Sequence, residues 1–250
     1  LNRITLRKSD AIVGSFGSPL SIRIPANYGL QGLVMPHAKY TGSERWSGIS
    51  QDVTRYETFI GFNVKAPGEY VLLGEKQQYG DIPADYPDKE HIRDFISRYD
   101  ISGVFNLSGT YLHPERTVSV KEAVLTYDLV MGGVGESDGI DIKEKAKRLG
   151  LESIINAAAS ARDITRQEAA GLIMKMYSVK AGVEYEKLKP SNYIYIGDEE
   201  EISDKYYKAV LILVENSIMK LDDRRCFGPG KSVTRGEMLA AVSKVINKGN

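Results

Sequence analysis

Over the first 78 residues the apolar positions come in short groups; beyond them they recur with a helical period. Ser21-Ile22-Arg23-Ile24 alternates polar and apolar, as a strand with one buried face does. Apolar groups at residues 4–6, 11–13, 20–24, 33–35, 59–64 and 70–73 are separated by turn-forming stretches such as Gly14-Ser15-Phe16-Gly17. Residues 59–64 and 69–73, joined through Lys65-Ala66-Pro67-Gly68, predict a hairpin. Short strands at this density predict an antiparallel β-sandwich over residues 1–78. The Pro- and Asp-rich stretch at 79–87 predicts an extended link.

After the link, one helix-start signal occurs three times. Val118-Ser119-Val120-Lys121-Glu122, Ile164-Thr165-Arg166-Gln167-Glu168 and Val233-Thr234-Arg235-Gly236-Glu237 share the form apolar-Ser/Thr-x-x-Glu. That form is a capping box: the hydroxyl accepts from the amide of the Glu, and the Glu reaches back to the cap amide. Apolar residues then fall one, two, five, eight and nine places after each Glu, which puts a single stripe on one helix face. Each capped helix has an upstream partner, predicted at 88–99, 141–149 and 203–216, with Asp141 and Glu144 forming a further box. Helix, loop, capped helix is the unit, and one unit cannot bury its own stripe. Residues 79–250 therefore read as one all-α module of three helix-loop-helix repeats, at about 79–133, 137–180 and 193–250.

Composition narrows the function classes. Lys+Arg and Asp+Glu are 33 each, so there is no basic surplus to neutralise a phosphate backbone. The single cysteine, Cys226, excludes an internal disulfide and a Cys-rich metal site. Arg224 and Arg225 beside it are expected to lower its thiol pKa. His37, His91 and His113 form no HExxH pattern, and Gly228-Pro229-Gly230-Lys231-Ser232 lacks the first glycine of a phosphate-binding loop. No apolar run is long enough to span a membrane. The chain opens on Leu1 with no leader after it, which reads as a mature protein or an excised fragment. No catalytic residue, metal or cofactor is expected.

The motifs resemble the S-layer homology family, whose repeats open on an aromatic-x-Asp segment and continue through a Phe-x-Pro loop to a Thr-Arg-Ala-Glu-like helix start. The third copy matches best, with Ile196-Gly197-Asp198, Cys226-Phe227-Gly228-Pro229 and Thr234-Arg235-Gly236-Glu237. The first has Tyr79-Gly80-Asp81 and Leu112-His113-Pro114; the second keeps Thr165-Arg166-Gln167-Glu168 but lacks the opening Asp. The resemblance implies a pseudo-threefold bundle for the three repeats; with the β-sandwich read ahead of it, the chain is expected to be α+β and multidomain. The resemblance also implies a non-catalytic, extracellular, wall-associated protein of the bacterial surface that binds an acidic, pyruvate-bearing secondary cell-wall polysaccharide in grooves between repeats.

By motif match the glycan ligands are Arg166 and Arg235, with Asp81 and Asp198 for sugar hydroxyls. A guanidinium at a helix N-terminus suits a carboxylate. Tyr206 and Tyr207 stand near the position of the family's usual Trp, which is missing here; the only Trp is Trp46. Against these roles stand plainer ones: solvated arginines, turn aspartates and packing tyrosines. Val120 replaces the Arg of the first copy, so that groove is expected to have lost its anion contact. The alternative function is a degenerate repeat scaffold for protein–protein or S-layer assembly, with self-association through the β module.

Overall fold

A computed structural model of the chain describes residues 3–6, 20–25, 34–40, 47–49, 54–55, 59–64, 68–74, 79–107, 110–133, 141–157, 160–191 and 193–248. The protein is α+β. It divides into two compact units: residues 1–78 with 96–101 and 129–134, and residues 79–95, 102–128 and 135–250.

In the first unit the strands are β1 (Arg3–Leu6), β2 (Leu20–Pro25), β3 (Val34–Tyr40), β4 (Ser47–Gly48), β5 (Thr54–Arg55), β6 (Phe59–Val64) and β7 (Gly68–Gly74). They form two antiparallel sheets, ordered β1-β7-β3-β4 and β2-β6-β5. The alternation in β2 is realised: Ile22 and Ile24 are buried, while Ser21 and Arg23 face outward. Ile24, Ala38, Ile60, Phe62 and Tyr70 share one hydrophobic cluster drawn from both sheets. Its aromatic contact is Phe62 of β6 against Tyr70 of β7, with ring centroids 6.2 Å apart.

The expected hairpin of residues 59–64 and 69–73 does not form. β6 pairs with β2 and β5, and β7 pairs with β1 and β3, so each strand has both edges taken within a different sheet. The six-residue register from Leu20↔Val64 to Pro25↔Phe59 outcompetes the local pairing. The strand expected at 11–13 and the turn residues 65–67 lie outside the described residues.

Beyond residue 78 the predicted helices appear close to their expected ends: α1 (Lys89–Arg98), α3 (Val120–Val130), α4 (Ile142–Arg148), α5 (Arg166–Ala181), α6 (Asp204–Glu215) and α7 (Arg235–Lys248). A further short helix, α2 (Ser102–Phe105), follows α1 and buries Val104 and Phe105. All three capping boxes close. Ser119 Oγ, Thr165 Oγ1 and Thr234 Oγ1 accept from the amides of Glu122, Glu168 and Glu237, and each Glu accepts in return from the cap amide. Asp141 caps α4 by accepting from Lys143 N, but Glu144 pairs forward with Arg148, so the expected fourth box is absent. The stripes are buried at Ala123, Val124 and Tyr127, at Ala169, Ala170 and Ile173, and at Met238, Leu239 and Val242. α5 packs against α6 and α7 and buries Leu172 and Met174 as well, a wider face than the stripe alone.

The apolar residues just before the caps form a closed ring of hydrogen bonds. Val118 N donates to Val233 O, Val233 N to Ile164 O, and Ile164 N to Val118 O, at 2.9, 3.2 and 2.9 Å. The first two amides of each capped helix, which have no partner inside the helix, donate to another segment's loop. Val120 and Lys121 donate to Arg162 O and Ser160 O; Arg166 and Gln167 to Lys231 O and Pro229 O; Arg235 and Gly236 to Arg116 O and Pro114 O. Residues 79–87 are a packed run of turns and not an extended link. Tyr79 and Ile82 are buried, and Gly80 N donates to Thr110 O.

Candidate functional site

A groove of about 400 Å³ lies where the start of α7, the loop before it, the turns at 86–88 and the first residue of α5 meet. Arg166 comes from the N-terminus of α5. Lys220, Asp222, Phe227 and Lys231 come from the chain between α6 and α7, and Tyr86 and Asp88 from the turns before α1.

Arg166 is held from several sides. Nε donates to Phe227 O at 2.8 Å and Nη2 to Lys220 O at 2.9 Å, while Nη1 meets Glu237 Oε1 at 2.5 Å. Its guanidinium also lies 5.0 Å from the Phe227 ring centre, in cation–π range. Asp88, with φ of 56°, links Lys220 at 2.9 Å and Lys244 at 3.1 Å. Burial works to raise the Asp88 carboxyl, but the two ammonium groups outweigh it and hold it below its usual range. Tyr86 is pushed up to about 12 by burial and the neighbouring Glu115. Lys231 projects into the groove with a largely exposed side chain, 3.9 Å from Asp222.

Arg235 holds the same place in its helix but not the same exposure. It is 1% exposed. Nη1 donates to Leu112 O, Nη2 pairs with Glu122 Oε1 at 2.8 Å, and the guanidinium lies 4.7 Å from the Phe105 ring centre. A solvent-borne carboxylate has no access to it, which corrects its expected glycan contact. The cause is the partner available: Glu122, itself committed to a capping box, leaves one oxygen free for Arg235. Val120, the counterpart of these arginines in the first copy, is fully buried. The oxygen it leaves unclaimed, Glu168 Oε1, is taken by Arg162 Nη2 at 2.5 Å. Arg162 escaped sequence reading because it stands outside the repeating motif.

The two aspartates clasp loops. Asp81 accepts from Leu112 N and His113 N, at 2.9 and 2.6 Å. Asp198 accepts from Phe227 N and Gly228 N, both at 2.7 Å. Each carboxylate thus fixes the loop ahead of a capped helix, a turn-organising role in place of the expected sugar contact. Tyr206 is also packed and not open to sugar: it is 7% exposed, with its hydroxyl donating to Ile154 O at 2.6 Å. Tyr207 is half-buried, with its hydroxyl 3.5 Å from Glu199 Oε2. The structure brings Arg166 to the groove; Asp81, Tyr206, Tyr207 and Arg235 do not line it, and Asp198 holds the loop that forms one wall.

Cys226 lies on the groove wall. Desolvation and the carboxylates of Asp198 and Asp222 raise its thiol pKa, outweighing Lys231 and Arg224, so the expected lowering is reversed.

No helix among the described residues is long and apolar enough to cross a membrane. A search of curated proteins finds no match to the chain. Residues 196–239, which run from the Asp198 clasp through α6 and the Phe227 loop into α7, match the family model of the S-layer homology domain, and the chain carries a domain of that family there.

Proposed function

We infer a wall-anchoring role from the S-layer homology match, since domains of that family generally mediate cell-wall anchoring through secondary cell-wall polymers. We propose that this chain is a non-catalytic anchor at the bacterial surface, held by an acidic, pyruvate-bearing wall polysaccharide in the groove at Arg166. In this reading the two sheets are the layers of a sandwich over residues 1–78, and residues 79–250 are a pseudo-threefold bundle of three repeats. The carrying observation is that Arg166, Lys220 and Lys231 line one groove. An incoming carboxylate meets exposed ammonium groups at the rim and competes with Glu237 for the guanidinium below. Charge-assisted contacts of this kind give specificity without a broad basic field, in keeping with a net charge of zero.

Co-sedimentation with purified wall sacculi tests the proposal. Arg166→Ala is expected to lose retention while keeping the wild-type helical content, and retention equal to wild type would overturn the groove assignment. A second reading, a repeat scaffold for S-layer assembly that self-associates through the β module, draws support from the inward pairing of both motif arginines. It predicts concentration-dependent self-association in sedimentation velocity and no retention on wall polymer.

A further inference from the structure

The loop Leu112-His113-Pro114 is built like Phe227-Gly228-Pro229: in each, an aspartate accepts from two consecutive amides. The second residue is left-handed in both, with φ of 68° at Gly228 and 55° at His113. Glycine adopts this conformation freely, whereas a side chain there carries strain. His113 is nonetheless directed outward, with 62% of its side chain exposed, and it stacks on Tyr111, itself 58% exposed, with ring centres 6.0 Å apart. Beside this pair is an open depression of about 590 Å³ lined by Asp81, Pro83, Tyr86, His113, Glu115 and Arg116. Tyr86 and Glu115 also line the Arg166 groove, so the two cavities share a wall.

We propose that this depression is a second sugar subsite, continuous with the groove across Tyr86, for a unit of the polymer that bears no negative charge. The proposal rests on the wall-glycan reading of the groove for its choice of polymer. Of the stacked pair His113 lines the depression, and its imidazole, braced by Tyr111, offers a flat face for the C–H surface of a sugar ring. Glu115 accepts hydroxyl protons and Arg116 donates, while Asp81 stays committed to the loop amides; no lysine among the described residues lines the depression to meet an acidic sugar. The groove would take the acidic unit and the depression its neighbour.

His113→Gly separates this role from a structural one, because glycine suits the backbone there. The full chain is titrated by calorimetry with purified pyruvate-bearing wall polysaccharide, and with the same polymer after its carboxylates are reduced to alcohols. Wild type, His113→Gly and Arg166→Ala are compared, with melting temperatures recorded for each. His113→Gly is expected to melt at or above wild type and to bind the intact polymer about tenfold more weakly. It should also abolish the residual affinity for the reduced polymer. Weakening by His113→Gly with none by Arg166→Ala would sink the groove reading and leave the subsite standing. Wild-type affinity of His113→Gly for both polymers overturns the subsite, and so does a wild-type chain that binds neither.

Discussion

Arg235 and Arg166 occupy the same motif position and meet different fates. Arg235 is sealed between Phe105 and Glu122, so removing it strands a carboxylate and opens a void. Arg235→Ala is expected to cost about 3–5 kcal/mol of unfolding free energy, the range for breaking a buried pair from one side. Urea denaturation reads this directly; a loss below about 1 kcal/mol would mean the pair is dispensable. Arg166→Ala should act mainly on binding, because its pairing partner Glu237 lies nearer solvent. Neither difference is visible in sequence. Thr-Arg is written the same way in both copies, and the partners of Arg235 lie 113 to 130 positions away.

The capped helices were the most legible elements, because a capping box spans four residues and a stripe repeats every few. Thr165→Ala is expected to cost about 1 kcal/mol through loss of the cap, measurable as a shifted denaturation midpoint. What sequence hid at this scale is how elements choose neighbours. β6 and β7 follow one another in the chain and still join different sheets, since register over six residues with β2 outweighs proximity. Gly236 makes the same point. Built there, a Cβ would lie 2.4 Å from the Tyr86 hydroxyl, so the alanine usual at this position is excluded by a residue 150 places upstream. Gly236→Ala should therefore destabilise by about 1–3 kcal/mol despite alanine's better helix propensity. An unchanged or raised midpoint would show that Tyr86 moves aside without cost.

For the whole molecule, the carboxylates that close helices also set acid stability. Burial works to raise Glu168, but hydrogen bonds from Arg162 and Thr165 outweigh it and hold its carboxyl below the usual value of 4.5. Asp88 is lowered in the same sense. A carboxyl lowered on folding contributes stability that is present above its unfolded value and lost as pH falls through its folded one. Unfolding free energy should thus hold near neutrality and decline below about pH 4.5, with a shallower decline in Glu168→Gln. Equal slopes for the two proteins would rule out Glu168 as a contributor. The ring through Val118, Val233 and Ile164 has a different consequence. A ring has no first member, and cutting out any arc leaves two open ends. Residues 193–250, expressed alone, would expose the amides of Val233 and Arg235 together with the apolar face of α7, and should show no cooperative melting transition. Recognition in sequence and autonomy in folding would then part company: the stretch that matches the family model is not expected to stand by itself.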